Sequence, residues 1–292
     1  MVLGSGGASL AVQAVLRDMG AGKIIVISRS GRENYETLDL HADACYLINA
    51  TPVGMFPDNE GCPVSLDHFP NLEGVFDLIY NPARTNLLQA AEDRGIPCRG
   101  GLPMLVAQAR ASAELFLEHR IPESLIPEIT EEIKRKTLNL LLIGMPGCGK
   151  TTVGTKLGHI LGRPVVDLDN EIERRAGRSA SDLIRMDGED HFRALEHEAL
   201  REAAKGSGQI IAAGGGVVTR EENLPLMRQN SVVILLRRPL SELPKDGRPL
   251  SGDLEALYRQ RAPLYEKAAD LTVDNLLSPE DAAADIIRRL GL

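Results

Sequence analysis

Residues 138–292 alternate between short apolar runs and amphipathic stretches. Five apolar runs predict strands at Leu138–Ile143, Pro164–Leu168, Gln209–Ala213, Val232–Arg237 and Leu271–Val273. Apolar residues at helical spacing predict helices over Lys150–Leu161, within Ser179–Lys205, over Leu254–Ala268 and over Pro279–Leu290. Strands that alternate with helices predict an α/β fold, in which a parallel sheet has helices on both faces.

Two of these helices have clear start signals. Ser179 with Asp182 three residues later has the form of a capping box. Ser278 is suited to the N-cap, and Pro279 after it is suited to the first helical position.

The first 118 residues have a different pattern. A glycine-rich stretch, Gly4–Gly7, precedes an apolar helix over Ala8–Met19 and a strand over Lys23–Ser28. A glycine-rich loop, a helix and a strand in this order predict a dinucleotide-binding βαβ unit. Two prolines and a charged run predict a linker over 119–137, and a short helix within it is the alternative left open. We therefore predict domains at 1–118 and 138–292.

Charge is unevenly distributed along the chain. The net charge is −8, and residues 1–133 hold 9 Lys and Arg against 18 Asp and Glu, whereas 134–292 hold 24 against 23. Neither half has the basic excess of a nucleic-acid binder, and the back half repels anions less. The four cysteines form no C-x-x-C pair, and no signal peptide or long apolar run is present. We expect a cytoplasmic protein with no membrane partner and a monomeric back domain.

Residues 144–151 read GMPGCGKT, a complete G-x-x-x-x-G-K-[ST] motif between a predicted strand and a predicted helix. Such a loop curls backbone N–H groups around a polyphosphate. The Lys150 ammonium can reach the β- and γ-phosphates, and the Thr151 hydroxyl can bind Mg²⁺. The candidate ATP-binding residues here are Gly147, Cys148, Gly149, Lys150, Thr151 and Thr152.

Two further segments contain candidate metal- or substrate-binding residues, and each could instead have a purely structural role. Asp167 and Asp169 end a predicted strand, where alternation would send one carboxylate to Mg²⁺ through water and the other to a substrate hydroxyl. The alternative is a helix N-cap at Asp169 or Asn170. The run Gly214–Gly216 permits a tight turn and close ligand approach, and the alternative is a plain loop.

Three arginines are candidate anion contacts. Arg193 and Arg261 could hold a small carboxylate by bidentate hydrogen bonds. Arg248 lies in the Gly- and Pro-rich stretch Pro244–Leu250, which could close over the phosphates as a lid. The alternatives are solvated surface arginines and an ordinary surface loop.

Together these segments resemble the shikimate kinase family across residues 138–292. The pieces that carry the resemblance are GMPGCGKTT, VVDLDNEIE, DGEDHFRALE, AAGGGVVT, DGRPL and RQRAPLYEKAA. The resemblance implies a P-loop kinase related in fold to the nucleoside monophosphate kinases. It implies transfer of the ATP γ-phosphate to the 3-hydroxyl of shikimate, with Mg²⁺ as the metal.

The resemblance also implies a role for each candidate residue. Catalysis would fall to Lys150, Asp169 and Arg248, the last of which closes with the lid onto ATP. Thr151 and, through water, Asp167 would hold the metal. Shikimate would contact Asp169, Arg193, Gly214, Gly215, Gly216 and Arg261, the two arginines at its carboxylate. The sequence departs from the family at Val273–Leu277, where an arginine often contacts adenine, so we expect apolar packing there.

The front half has features of an NADP site. Arg29 stands between two serines after the second predicted strand and suits the 2′-phosphate of NADP, with a polar turn as the alternative. The candidate NADP-binding residues are Gly4, Gly6, Gly7, Ala8, Ser28, Arg29 and Ser30. The stretches INATPVGM, DLIYNPART and GLPMLVAQ resemble the C-terminal, Rossmann-like domain of shikimate dehydrogenase. This resemblance implies Tyr80 and Gln108 near shikimate, and Thr51 and Met104 near the nicotinamide.

The dehydrogenase resemblance is incomplete. The family's substrate domain, with its catalytic lysine and aspartate, precedes the glycine loop, where this sequence has only Met1–Leu3. The stretch from Ser30 to Cys45 is short for a second crossover helix. We therefore expect a truncated domain without dehydrogenase activity. The alternatives are a fragment of a bifunctional dehydrogenase–kinase and a non-catalytic NADP-binding module.

Overall fold

The computed structural model describes residues 1–243, 254–276 and 278–292. These residues form two compact units, Met1–Ile133 and Lys134–Leu292. The division falls inside the predicted linker 119–137, which contains an α-helix over Leu125–Thr137. The assignment of 119–137 as a linker stays a prediction.

The front unit is a parallel sheet of five short strands with three α-helices before Leu125–Thr137. In chain order the elements are β1 Val2–Leu3, α1 Gly7–Asp18, β2 Val26–Ile27, β3 Tyr46–Asn49, β4 Gly74–Asp77, α2 Asn86–Asp93, β5 Cys98–Arg99 and α3 Leu102–Leu117. The strand order is β2-β1-β3-β4-β5. A 3₁₀ turn, Leu38–His41, is the helical element that connects β2 to β3, in agreement with the short stretch noted in the sequence.

Strand β1 pairs on both edges although only two of its residues are counted as strand. Val2 is opposite Val26 on one side and Ile48 on the other. The ladder continues past the strand, because the Gly4 N–H donates to the Ile27 carbonyl at 2.8 Å. A buried cluster that includes Leu3, Ile27, Leu47, Val75 and Leu87 forms the core of this unit.

The back unit begins in the last turn of helix α4, Leu125–Thr137, and contains a second parallel sheet. Its further elements are β6 Asn139–Ile143, α5 Lys150–Leu161, β7 Val165–Asp167, α6 Leu168–Ala176, α7 Ala180–Asp187, α8 Glu189–Lys205, β8 Ile210–Ala212, α9 Asn223–Gln229, β9 Ser231–Arg237, α10 Leu254–Ala268, β10 Leu271–Asp274 and α11 Pro279–Leu290. The strand order is β10-β9-β6-β8-β7. The predicted α/β class is confirmed for both halves.

Strand β6 lies at the centre of this sheet, between β8 and β9. Its residues Leu140–Ile143 are almost completely buried, as expected for a strand covered on both faces. The chain runs from β6 through α5 to β7 on one side of β6, and from β8 through α9 to β9 on the other side. The strand order therefore reverses at β6, and a crevice forms outside its carboxyl end, where α/β proteins bind ligands. The GMPGCGK segment follows β6 directly and therefore lies in this crevice.

The predicted start signals are present in the structure. The Ser179 hydroxyl accepts from the Asp182 N–H and the Ser278 hydroxyl from the Asp281 N–H, each at 3.1 Å. The sequence did not predict helices α6 and α9, because both are short and polar-rich. No helix in the described ranges combines the length and the apolarity that crossing a bilayer requires.

Candidate active site

The loop between β6 and α5 has the backbone conformation of a phosphate cradle. Gly144, Gly147 and Gly149 have φ angles of +141°, +84° and +99°, which favour glycine. A Cβ on Gly144 would contact the Leu236 carbonyl oxygen at 2.5 Å, so β9 fixes the start of the loop. The loop ends at the N-terminus of α5, where the helix dipole favours an anion.

Lys150 is buried and its side chain folds over the loop. Its ammonium donates to the carbonyls of Gly144 and Met145 at 2.9 and 3.1 Å. The Cys148 thiol is fully buried, with Sγ 3.9 Å from the Lys150 Nζ. A positive charge is therefore held inside the cradle, and Cys148 fills the space beneath it.

Thr151 and Asp167 are joined across the crevice. The Thr151 hydroxyl donates to the Asp167 carboxylate at 2.6 Å, and the same carboxylate accepts from the Asn170 N–H at 3.1 Å. Asp167 is thus the N-cap of α6. The placement of Asp169 on a strand was wrong, since it lies in the first turn of this helix, and the predicted cap was also wrong, since the cap is Asp167 rather than Asp169 or Asn170. The roles of the two carboxylates toward metal and substrate stay predictions.

Asp169 lies in the first turn of α6, where it is exposed to solvent. The surrounding protein raises its pKa above the usual range, because partial desolvation disfavours the carboxylate, while the charges of Lys150 and Arg193 oppose this shift. A Cβ on Gly214 would lie 2.8 Å from its Oδ1. Asp169 is thus a carboxylate whose proton affinity is increased and which faces the glycine run.

Arg193 is buried within a charged cluster on α8. Its guanidinium donates to Glu196 at 2.7 Å and to Glu189 at 3.0 and 3.2 Å. Glu196 is almost fully buried, and burial raises the pKa of its carboxyl although Arg193 opposes the shift. Sequence reasoning missed Glu196 as a site residue. Its spacing of three residues from Arg193 on a predicted helix was the available signal.

At each glycine of the run Gly214–Gly216, another residue occupies the space that a side chain would need. A Cβ on Gly214 would meet the carboxylates of Glu196 and Asp169, and one on Gly216 would meet the Arg193 guanidinium. A Cβ on Gly215 would lie 2.7 Å from Pro146 of the phosphate loop. The glycine run is therefore the contact point between the loop, α6 and α8.

Helix α10 adds a second arginine at this run. Arg261 is buried and donates to the Gly215 carbonyl at 3.0 Å, and the Tyr265 hydroxyl donates to the same oxygen. Among the residues that the structure describes, the Arg261 Nε and the Glu196 Oε1 are buried without a hydrogen-bond partner. The structure thus brings Arg193 and Arg261 to adjacent glycines. Arg248 and the predicted lid Pro244–Leu250 lie outside the described residues.

The oxygen atoms of Thr151 and Asp167 fit a magnesium site. A hydroxyl and a carboxylate are hard ligands, and Mg²⁺ is commonly held by one or two protein oxygens together with phosphates and water. In the described ranges, no three His, Cys, Asp or Glu side chains form a metal-holding group. These two oxygens therefore suit a metal ion whose other ligands are phosphates and water, rather than one that protein side chains alone would surround.

A cavity of about 300 Å³ lies beside the phosphate loop, between α10 and the carboxyl ends of β9 and β10. Its lining includes Met145 from the loop, Tyr258 from α10 and Leu276 after β10. Leu276, from the Val273–Leu277 stretch, contributes an apolar side chain to this lining, and adenine contact there stays a prediction.

In the front unit, the candidate NADP residues meet at one sheet edge. Gly4, with φ of +100°, follows β1, and Ser28–Ser30 follows the neighbouring β2. Thr51 lies after β3, and its hydroxyl donates to Asn49 at 2.7 Å. Tyr80, which follows β4, is half exposed, and Met104 and Gln108 lie on α3.

A buried polar cluster joins the loops after β3 and β4. Asp77 accepts from the Asn49 amide at 3.0 Å and from the Thr85 hydroxyl at 2.7 Å. Burial raises the pKa of its carboxyl, and these hydrogen bonds oppose the shift. The cluster fixes the segments that carry Thr51 and Tyr80.

The two halves of the chain are similar to different known proteins. In the front half, the chain is 35% identical to a chorismate mutase/shikimate 5-dehydrogenase fusion protein from Clostridium acetobutylicum, with a TM-score of 0.43 over 46% of this chain and 53% of that one. A shikimate dehydrogenase from Peptoclostridium difficile gives 35% identity and a TM-score of 0.43. This chain spans about half the length of those proteins.

The back half matches one family. The family model described as Shikimate kinase matches residues 146–291. Shikimate kinase from Symbiobacterium thermophilum is 39% identical over 171 residues, which cover 52% of this chain and 96% of that protein. The solved shikimate kinase from Acinetobacter baumannii is 31% identical, with a TM-score of 0.51 over 55% of this chain and 96% of that one. Through this half, which carries an ATP-dependent kinase, the chain belongs to the shikimate kinase family.

Proposed function

We propose that the back unit transfers the γ-phosphate of ATP to the 3-hydroxyl of shikimate. The observation that carries this proposal is the convergence at Gly214–Gly216, where the phosphate loop, a carboxylate and two buried arginines meet. A small acid held there by its carboxylate would present a ring hydroxyl to Asp169, next to the cradle. Phosphoryl transfer depends mainly on such alignment and on charge neutralisation.

The nucleotide is held by the N-terminal end of α5. Backbone N–H groups of Gly147–Thr152 surround the phosphates, and the Lys150 ammonium moves from the loop carbonyls to the phosphate oxygens. Thr151 would hold Mg²⁺ directly, and Asp167 would hold it through water. When bound, this ion neutralises charge on the transferring phosphate. The role of Arg248 in closing on ATP rests on the sequence resemblance alone.

The acceptor is oriented by charge. Asp169 accepts a hydrogen bond from the attacking hydroxyl and takes its proton late in the transfer. Arg193 and Arg261 bind the shikimate carboxylate. The buried, unpartnered Nε of Arg261 supports this assignment, because such a donor is costly until an acceptor reaches it. A cytoplasmic location and a monomeric kinase unit stay predictions of the sequence.

Asp169→Asn tests the assignment. We expect kcat to fall by about 10²–10⁴-fold, the usual contribution of a positioned acid or base, while Mg·ADP affinity is retained. The wild-type kcat should decline as the pH falls through the pKa of Asp169, and the decline should begin above the usual range of an aspartate, since the active form is ionised and its pKa is raised. The asparagine variant should lack this decline.

The measurement is ADP release with shikimate, quinate or gluconate as the acceptor, followed across pH. Release with shikimate alone supports the proposal. Near-normal kcat in the variant would exclude Asp169 as the proton acceptor, and absence of any shikimate-dependent ADP release in the wild type would exclude the proposed activity.

A second candidate function concerns the front unit, for which we propose NADP(H) binding without turnover. The observation in its favour is that Gly4 and Ser28–Ser30 follow adjacent parallel strands, so the glycine loop and Arg29 share one edge. NADPH fluorescence should change on binding, and Arg29→Ala should weaken NADPH more than NADH. Reduction of NADP⁺ with shikimate would instead favour the bifunctional dehydrogenase–kinase.

A further inference from the structure

Asn275 links the last strand of the kinase sheet to the phosphate loop. It follows β10 directly and is 6% exposed. Its backbone N–H donates to the Arg237 carbonyl at 2.8 Å, so β9 holds its main chain. Its side-chain Nδ2 donates to the Cys148 carbonyl at 2.8 Å. The amide therefore connects a fixed point of the sheet to one peptide group of the loop.

That peptide group joins Cys148 to Gly149. A trans peptide is planar, and its C=O and N–H point in opposite directions. With the carbonyl held by Asn275 on one side, the Gly149 N–H is directed to the other side, into the cradle. A Cβ on Gly149 would lie 2.5 Å from the Asn275 Nδ2, so the approach also requires glycine at 149.

The loop does not fix this orientation through its own backbone. Gly149 has φ of +99°, and glycine is free to rotate its flanking peptides more than other residues. Within the part of the chain that is described, the backbone hydrogen bonds of the loop include Cys148 N–H to Met145 at 3.2 Å but none that holds the Cys148 carbonyl. The Asn275 side chain supplies that restraint from outside the motif.

We propose that Asn275 is a positioning residue that orients the Gly149 N–H toward the nucleotide phosphates. The inference rests on the proposed nucleotide-binding function of the loop. Among the described residues, Asn275 makes no hydrogen bond to Asp169, Arg193 or Arg261, so we expect its effect to be confined to the nucleotide. A side chain that only accepts hydrogen bonds cannot replace it at this carbonyl.

The test compares Asn275→Ala with the wild-type full chain. Mg·ADP and shikimate are titrated separately by calorimetry, and the thermal midpoint is recorded. We expect Mg·ADP to bind about tenfold more weakly, the effect of losing one buried hydrogen bond that orients a ligand contact. Shikimate affinity should stay within twofold of wild type. Ser278→Ala is the matched control, because it removes the N-cap of α11 in the same segment without contacting the loop.

Asn275→Asp is the second test variant, and it replaces Asn275→Ala if the alanine variant does not fold. It keeps the shape of the side chain but directs an oxygen at the Cys148 carbonyl, so Mg·ADP affinity should fall further than in Asn275→Ala. Unchanged Mg·ADP affinity in both variants, or equal losses for Mg·ADP and shikimate, would overturn the inference. If the wild type itself binds no Mg·ADP, it is the proposed function that fails.

Discussion

Arg193 and Glu196 form a buried ion pair beside the glycine run of the kinase unit. Arg193 and Glu196 have side chains that are 9% and 1% exposed, and they are 2.7 Å apart. Burying two charges costs desolvation that their attraction offsets only with good geometry. A pair in this position adds little stability, and it is better explained as holding the Arg193 guanidinium against Gly216.

Glu196→Gln should therefore act on substrate binding. The amide keeps the size of the side chain but loses the charge that holds Arg193, so the shikimate KM should rise about tenfold while kcat changes less. Initial rates at saturating ATP measure both constants. Glu198→Gln is the control on the same helix, because Glu198 pairs with Arg201 in an exposed position. A fall in kcat with an unchanged KM would show that Glu196 acts on the chemical step instead.

At the scale of elements, the turn after β8 organises the crevice. Gly214–Gly216 lies where the phosphate loop, α6, α8 and α10 converge. The sequence shows three glycines there, but it does not show what occupies the space beside each one. That information is tertiary, since Pro146, Asp169 and Arg193 reach the run from three other segments of the chain.

Gly214→Ala tests this convergence. The added Cβ would press on the carboxylates of Glu196 and Asp169, so we expect a loss of about 1–3 kcal/mol in the free energy of unfolding and a marked loss of kcat. Chemical denaturation and initial rates measure the two effects. Gly154→Ala is the control within α5, where the nearest atom is 3.4 Å away and alanine favours the helix. Equal behaviour of the two variants would contradict the role assigned to the run.

Patterning predicted the long elements well and the short polar ones poorly. Helices α5, α10 and α11 have the predicted bounds, because each has a clear apolar stripe or cap. Helix α6 was missed because Asp167, Asp169 and Asn170 all favour caps and turns, and sequence alone does not decide among them. The structure settles the competition through the hydrogen bond from Thr151 to Asp167, a contact between residues 16 apart in sequence.

At the scale of the whole molecule, the chain contains two separate α/β cores. Each unit has its own parallel sheet and its own buried cluster. The change in pattern and charge near residue 133 could be predicted from the sequence. The sequence left open whether a helix crosses the boundary, because the charged face of α4 fits a solvated linker equally well. Two cores in one chain imply two cooperative folding units.

Scanning calorimetry of the full chain should therefore resolve two transitions. Mg·ADP at about 100 times its Kd stabilises the unit that binds it by about 2.7 kcal/mol, which moves that transition up by about 5–10 °C. The other transition should stay in place, because it belongs to residues 1–133, which share no core with the nucleotide cradle. NADPH in place of Mg·ADP should reverse the pattern if the front unit binds it. A single transition that moves as a whole with Mg·ADP would mean that the two cores unfold together, and the division into independent units would then be wrong.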